Sequence, residues 1–400
     1  MKLATPFLAW HTELAAIRRD IHAHPELAYE EVRTSEAIAT LLESWGIETH
    51  RGLGGTGVVG TIHGKAGSRA VGLRADMDAL PMQELNTFEH ASRNPGKMHA
   101  CGHDGHMAML LFAARCLAAR RTFTGTVHVI FQPAEEGLGG AKKMIADGLF
   151  TLFPMEAVFG MHNWPGMEAG SFGMTAGPIM ASSSVFEITI EGKGSHAAMP
   201  HLGHDPVMAA VNLAQTFQTV VSRTVDPLDP VVLSVTQIHA GSADNVIPTS
   251  AVMRGTVRTF STEVLDLVEK RMAEITELTG RAMNCTTHFG FSRHYPPTIN
   301  HTREAEFCAE VAADIVGAER VNAAVRPSMG SEDFAFMLQE VPGCYVWIGN
   351  GMGEHRSAGH GLGPCMLHNG SYDFNDELLP IGAAYWLELA TRWLARPPDD

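Results

Sequence analysis

Four hundred residues exceed what one ordinary hydrophobic core organises, so the length favours two domains. Hydrophobic residues make up 45% and charged residues 18%, a globular composition that excludes a disordered chain. The formal net charge of −15, with no basic run, excludes a nucleic-acid partner, because phosphate binding needs clustered cations that displace counterions.

The opening MKLATPFLAW has no small-residue cleavage site and runs into the apolar period Leu8, Leu14, Ile17, Ile21. That pattern predicts a first helix over about 8–22 rather than a signal peptide. A second helix follows over 30–45, stopped by Gly46. Short β-branched runs at Gly57–His63 and Ala70–Arg74 read as strands, then a helix spans His106–Arg120 and an apolar strand spans Thr126–Phe131. A helix near Gly140–Asp147 and the strand Ala157–Met161 complete a run of alternating elements. This is the pattern of a mostly parallel α/β sheet.

The middle of the chain reads differently. Strands are expected at Val185–Ile190, Val231–Ile238, Ala251–Phe260 and near Cys285–Phe289. Asp205-Pro206 opens one helix, and a second covers Ser261–Thr279. Two helices on one antiparallel sheet predict an inserted α+β domain over 182–294, bounded by Gly177-Pro178 and Tyr295-Pro296-Pro297. Segments 1–181 and 295–400 then form one domain. No stretch of roughly 18 uninterrupted apolar residues is present, so no membrane span is expected. Six scattered cysteines without a C-x-x-C pair suit reduced thiols in the cytoplasm.

Histidine is abundant, with 21 copies, many bunched beside Asp, Glu and Gly. In Met98-His-Ala-Cys101-Gly-His103-Asp-Gly-His106, a thiol and an imidazole stand two apart in a Gly-containing loop. In extended chain both face one way, and both suit borderline-soft divalent metals. Alone, such a pair is more often a capped loop with a surface His. Its context argues otherwise. Glu135-Glu136 follow the strand VHVIFQP at the sheet edge where open α/β folds place their sites. Adjacent carboxylates diverge, which suits one on a metal and one on a nucleophilic water. His162 ends the strand AVFGMH at the same edge. Asp78, after the strand AVGLR, is placed to accept the second N–H of a ligand imidazole. His368 adds a further donor. Cys101, His103, Glu136, His162 and His368 are too many for one tetrahedral ion and fit two ions roughly 3.5–4 Å apart. A thiolate favours Zn²⁺, and the remaining donors also admit Mn²⁺, Co²⁺ or Ni²⁺. Gly55-Thr-Gly57-Val-Val-Gly60 matches a dinucleotide fingerprint in letters but leads into a strand, so it is rejected. P-loop, H-E-x-x-H and G-x-S-x-G motifs are absent.

These segments resemble the metallo-aminoacylase and carboxypeptidase family, in its branch of hippurate hydrolases and auxin-conjugate amidohydrolases. The matching stretches include RRDIHAHPELAYEE, LRADMDALPMQE, MHACGHDGHMAML, FQPAEEGLGGA, GMHNWPG, GKGSHAAMPH, DNVIPTSAVMRGTVRTF, MGSEDFAFM and LHNGSYDFNDELLP, nearly end to end and in order. The resemblance implies metal ligation by Cys101, His103, Glu136, His162 and His368, with Glu135 as general base and Asp78 orienting a ligand His. It implies that the inserted domain is a lid and dimerisation domain. There, His196 steadies the oxyanion while Asn245 and Arg258 hold the substrate carboxylate or the oxyanion. The wider family has a metal-binding His where Asp76 stands here, which puts Asp76 in doubt as a ligand.

The expected activity is two-metal hydrolysis of the amide bond of N-acyl-L-amino acids, benzoyl or acetyl derivatives among them, by a cytoplasmic homodimer or dimer-based oligomer. A dipeptidase or N-acetyl-diaminopimelate deacetylase on the same site is the alternative. An inactive binding protein of the same fold is remote, since every ligand type is intact.

Overall fold

A computed structural model of the protein describes residues 11–397. In chain order it contains α1 (His11–Ala23), α2 (Val32–Ser44), β1 (Glu48–Leu53), β2 (Gly57–His63), β3 (Lys65–Asp76), α3 (His103–Arg120), β4 (Thr124–Gln132), α4 (Gly140–Ala146) and β5 (Ala157–Pro165). Then come β6 (Ser183–Glu191), α5 (Pro206–Arg223), β7 (Val231–Ala240), β8 (Ser250–Thr259), α6 (Thr262–Ala282), β9 (Thr286–Tyr295), α7 (Thr302–Val316), β10 (Gly343–Gly351) and α8 (Leu379–Ala395). The start expected for the first helix, at residue 8, lies outside the described residues.

The chain divides into two compact units. The first takes in the chain up to Ile179, Ile299–Arg326, and the chain from Asp333 onward. The second comprises Met180–Thr298 and also Pro327–Glu332. The strands and helices expected over 182–294 fall within the second unit; nothing in the short Pro327–Glu332 stretch signals that it joins them.

The first unit is built on an eight-stranded sheet whose centre runs β4-β3-β5-β10, all parallel. β1 and β2 join antiparallel at one edge. β5 and β10 are buried almost throughout, as expected for strands covered on both faces. Helix α3 is buried along most of its length, and α8 packs against it with Tyr385, Trp386, Leu389 and Trp393 in the core. Burying each such large apolar side chain stabilises the fold by about 1.5–3 kcal/mol. This dry packing fixes the strand ends from which the site is built. Strand β1 has no sequence signal, because this edge strand exposes most of its residues and lacks apolar alternation.

The second unit is a four-stranded antiparallel sheet, order β7-β8-β6-β9, with α5 and α6 packed on it. In β6 the alternating residues Phe186, Ile188 and Ile190 are buried and their neighbours face outward. Leu213 and Phe217 of α5 and Val268 and Met272 of α6 cover that face. The Asp205 side chain accepts from the backbone N–H groups of Val207 and Met208, with Pro206 in the first turn, so the cap expected there forms. Ser261 caps α6 in the same way through Val264. No helix among the described residues is long and apolar enough to cross a membrane.

Candidate metal centre

The C-terminal ends of β3, β4 and β5 lie side by side, with Asp76 opposite Gln132 in register. From these ends come Asp76 and Asp78, Glu135 and Glu136, and His162. α3 begins at His103, and its first turn brings Cys101, His103 and His106 to the same place. Extended alternation is not what turns Cys101 and His103 to one side. Gly102 between them is left-handed, φ +91°, and it bends the chain into the helix. A Cβ there would lie 2.2 Å from Asn163 Oδ1 and 2.5 Å from the Tyr372 hydroxyl, so only glycine fits.

Cys101, His103 and His162 offer donor atoms that all lie within 4.8 Å of one another, and so do Cys101, Glu136 and His368. A third such group is His103, Glu135 and Glu136. The sulfur of Cys101 is 3.3 Å from His162 Nε2, and His368 Nε2 is 3.3 Å from Glu136 Oε1. All the residues that the sequence marks as donors therefore meet in one place, with Glu135 among them.

The imidazoles are oriented from behind. His162 Nδ1 donates to the Asn163 carbonyl at 2.6 Å, which leaves Nε2 facing Cys101. His103 Nδ1 donates to the Asp78 carbonyl oxygen at 2.8 Å, and its Nε2 is buried with no hydrogen-bond partner. The Asp78 carboxylate, to which the sequence assigns that contact, also lies near, 3.4 Å from Nδ1. The carboxylate accepts from the backbone N–H groups of Glu135 and Glu136, at 3.0 and 2.9 Å. Asp78 thus holds the turn carrying both glutamates. Glu31 supports that turn from α2's start, accepting from the Ala134 N–H at 2.9 Å, where φ is +54°.

Asp76, with His103 and His106, forms a further such donor group. Its Oδ1 is 2.6 Å from His106 Nδ1, and its Oδ2 accepts from Arg74 at 2.7 Å. His106 Nε2 is in turn 2.7 Å from the Asn163 side chain, whose amide reaches the Tyr372 hydroxyl at 2.6 Å. Sequence reasoning assigned no role to Arg74, His106 or Asn163. The i, i+3 spacing of His103 and His106 on a helix start was the available signal.

Burial opposes a charge on His103, but Asp76 first and then Asp78 and Glu136 outweigh it and raise its pKa to about 10. Burial, reinforced by Glu136 and Glu135, pushes the Cys101 thiol well above its ordinary value. Burial, with His106 adding to it, holds His162 well below its ordinary value. Thiol, imidazole and carboxylate donors crowd a buried spot that calls for positive charge, and His103 Nε2 faces it without a hydrogen-bond partner. The donor set fits divalent cations.

The remaining expected residues belong to the second unit. His196 pairs with Val246 in a short antiparallel ribbon, and the Asn245 carbonyl accepts from the Ala197 N–H at 2.9 Å, so these two are neighbours. Arg258, on β8, donates to Ser331 Oγ at 3.0 Å.

A largely parallel sheet with such a donor cluster at its strand ends defines a metal-dependent hydrolase. The chain belongs to Peptidase family M20/M25/M40, whose model matches residues 72–392. It is 38% identical to a hippurate hydrolase of Campylobacter jejuni, over 98% of this chain and 100% of the relative. It is 40% identical to an IAA-amino acid hydrolase (ILR1-like 4) of Arabidopsis thaliana, over 97% of this chain and 86% of the relative. A solved Bacillus subtilis structure, described as a dinuclear metal binding peptidase from the M20 family, superposes with a TM-score of 0.83 at 35% identity. It covers 97% of this chain and 99% of its own. The protein is a metal-dependent amidohydrolase with a site for two ions.

Proposed function

We propose that the protein hydrolyses the amide bond of N-acyl-L-amino acids, hippurate-like substrates first among them, to a carboxylic acid and a free amino acid. The convergence of Cys101, His103, Glu136, His162 and His368 beside Glu135 carries this reading. The activities named for the Campylobacter and Arabidopsis relatives support the substrate class. Those five side chains are assigned as the ligands of two divalent cations. The thiolate favours Zn²⁺ over Mn²⁺, Co²⁺ or Ni²⁺.

Bound there, the cations supply Lewis acidity, polarising the amide carbonyl and easing deprotonation of water. Glu135 accepts the proton of the attacking water and delivers it to the leaving nitrogen. Asp78 keeps Glu135 in place by gripping its backbone N–H. His162 and His103 present their Nε2 lone pairs because their Nδ1 protons are tied to backbone carbonyls. In the second unit, assigned as lid and dimerisation domain, His196 steadies the developing oxyanion. Asn245 and Arg258 hold the carboxylate of the amino-acid half, so substrates need a free carboxylate. The working form is a homodimer or dimer-based oligomer in the cytoplasm, a compartment consistent with six free cysteines.

Glu135→Gln tests the reading. Turnover of benzoylglycine should fall by about 10²–10⁴-fold while metal content stays at that of the unmodified protein. Full activity in this variant would remove the general-base assignment. The peptidase description of the Bacillus structure favours a second reading as a dipeptidase. Benzoylglycine, acetyl-amino acids, N-acetyl-diaminopimelate and simple dipeptides assayed side by side separate the two.

A further inference from the structure

The stretch RRDIHAHPELAYEE contributes no atom to the donor groups of the centre, yet it sends a guanidinium deep into the first unit. Arg18, on α1, is 1% exposed. Its Nε donates to Asp376 Oδ1 at 2.7 Å and its Nη1 to Asp373 Oδ1 at 3.1 Å; Nη1 also lies 3.5 Å from Asp104 Oδ2. Nη2 points at the Phe374 carbonyl at 3.5 Å. Asp104 directly follows His103 in the first turn of α3. Asp373 follows His368 in the loop LHNGSYD. One side chain thus joins two segments, distant in sequence, that each carry a donor of the centre.

The same segments also meet through the backbone, where His368 N–H donates to the Ala100 carbonyl at 2.8 Å. His368 holds φ +57°, a left-handed conformation that a side chain disfavours and that surrounding structure must enforce. One turn after Arg18, His22 grips the same Asp104 oxygen at 2.8 Å. Asp104 is thus held by two side chains of α1, and the Asp373 carboxylate by Arg18 together with His360 at 3.1 Å and His90 at 3.6 Å.

We infer that Arg18 is a positioning residue of the metal centre: its guanidinium, with Nη1 between Asp104 and Asp373 and Nε on Asp376, ties the segments that carry His103 and His368 and sets the separation of their donor atoms. The inference rests on the assignment of both histidines as ligands. Neutralising buried carboxylates would need only a positive charge, which Lys supplies. Reaching Asp376 through Nε while Nη1 faces Asp373 and Asp104 needs the two nitrogens of a guanidinium.

The test compares Arg18→Lys and Asp373→Asn with the unmodified chain. Metal affinity is read by chelator competition, and the thiolate-to-metal absorption is read after loading with Co²⁺. Folding of each metal-free protein is checked by circular dichroism. Residues that orient ligands from behind change metal affinity by about 10–100-fold when altered. Folded Arg18→Lys is expected to lose affinity in that range for one of its two equivalents, with an altered Co²⁺ spectrum. Asp373→Asn weakens the contact nearest His368 while leaving Arg18 on Asp104 and Asp376, and should show a smaller loss of the same kind. It decides the matter if Arg18→Lys does not fold. Unchanged affinity and an unchanged spectrum in either folded variant would overturn the inference. An unmodified chain that binds no Co²⁺ would instead overturn the ligand assignment itself.

Discussion

The two units handle charge in opposite ways. In the first, Arg18, Arg74, Asp76, Asp104 and His22 are all at most 1% exposed and bonded to one another or to neighbours across the strand ends. In the second, the ion pairs lie outside an apolar core. Arg254–Glu187 and Arg281–Glu277 are examples, with side chains half exposed or more. Burying ions stabilises a fold poorly, because desolvation offsets the attraction. The first unit carries that penalty where it orients donor atoms, and the second has no such network around its helices. The contrast teaches where the chemistry is built.

The largest effect is expected where a buried charge is stranded. Arg74→Met leaves the carboxylates of Asp76 and Asp333 without their guanidinium, and should destabilise by about 3–5 kcal/mol in urea unfolding. The matching change in the second unit, Arg254→Met, should shift stability by no more than about 1 kcal/mol. Equal effects would erase the comparison.

Gly102→Ala comes next. Its left-handed φ and the contact with Asn163 Oδ1 must both be relieved by moving the Cys101–His103 loop. Metal content should fall while the second unit keeps its fold, as read by plasma emission and hydrogen exchange.

A smaller, pH-dependent effect belongs to His22. Burial opposes its charge, but Asp104 and then Glu84 raise its pKa to about 10, above the ordinary value of about 6.5. A raised folded-state pKa contributes stability that is complete below pH of about 6.5 and lost as pH rises to about 10. His22→Gln should therefore be less stable than the unmodified chain near pH 6, with the gap closing towards pH 10 in thermal melts. A gap that widens with pH would reverse the assigned sign.

Much of this architecture is legible in the sequence. Strand β2 falls at Gly57–His63 as expected, and β5 begins at Ala157, because strands buried on both faces are continuous apolar runs. β5 runs on to Pro165, past the His162 expected to end it, because its polar residues His162 and Asn163 are buried too. The donor residues are legible because thiol, imidazole and carboxylate in tight Gly-bearing loops are chemically unusual. Their supports are not. Arg18 and Arg74 look like surface cations on a helix and a strand, and only tertiary packing turns them inward. Likewise, Asp78 reads as a partner for an imidazole, and whether its carboxylate or its carbonyl makes that contact depends on where the Glu135–Glu136 turn docks.

A pair of cations held by Cys101, His103, Glu136, His162 and His368 is the proposed centre of the chemistry. Plasma-emission counting of bound metal in the unmodified chain and in Cys101→Ala tests it most directly. Two ions per chain in the first and fewer in the folded variant are predicted; two ions retained without the Cys101 thiol would contradict it.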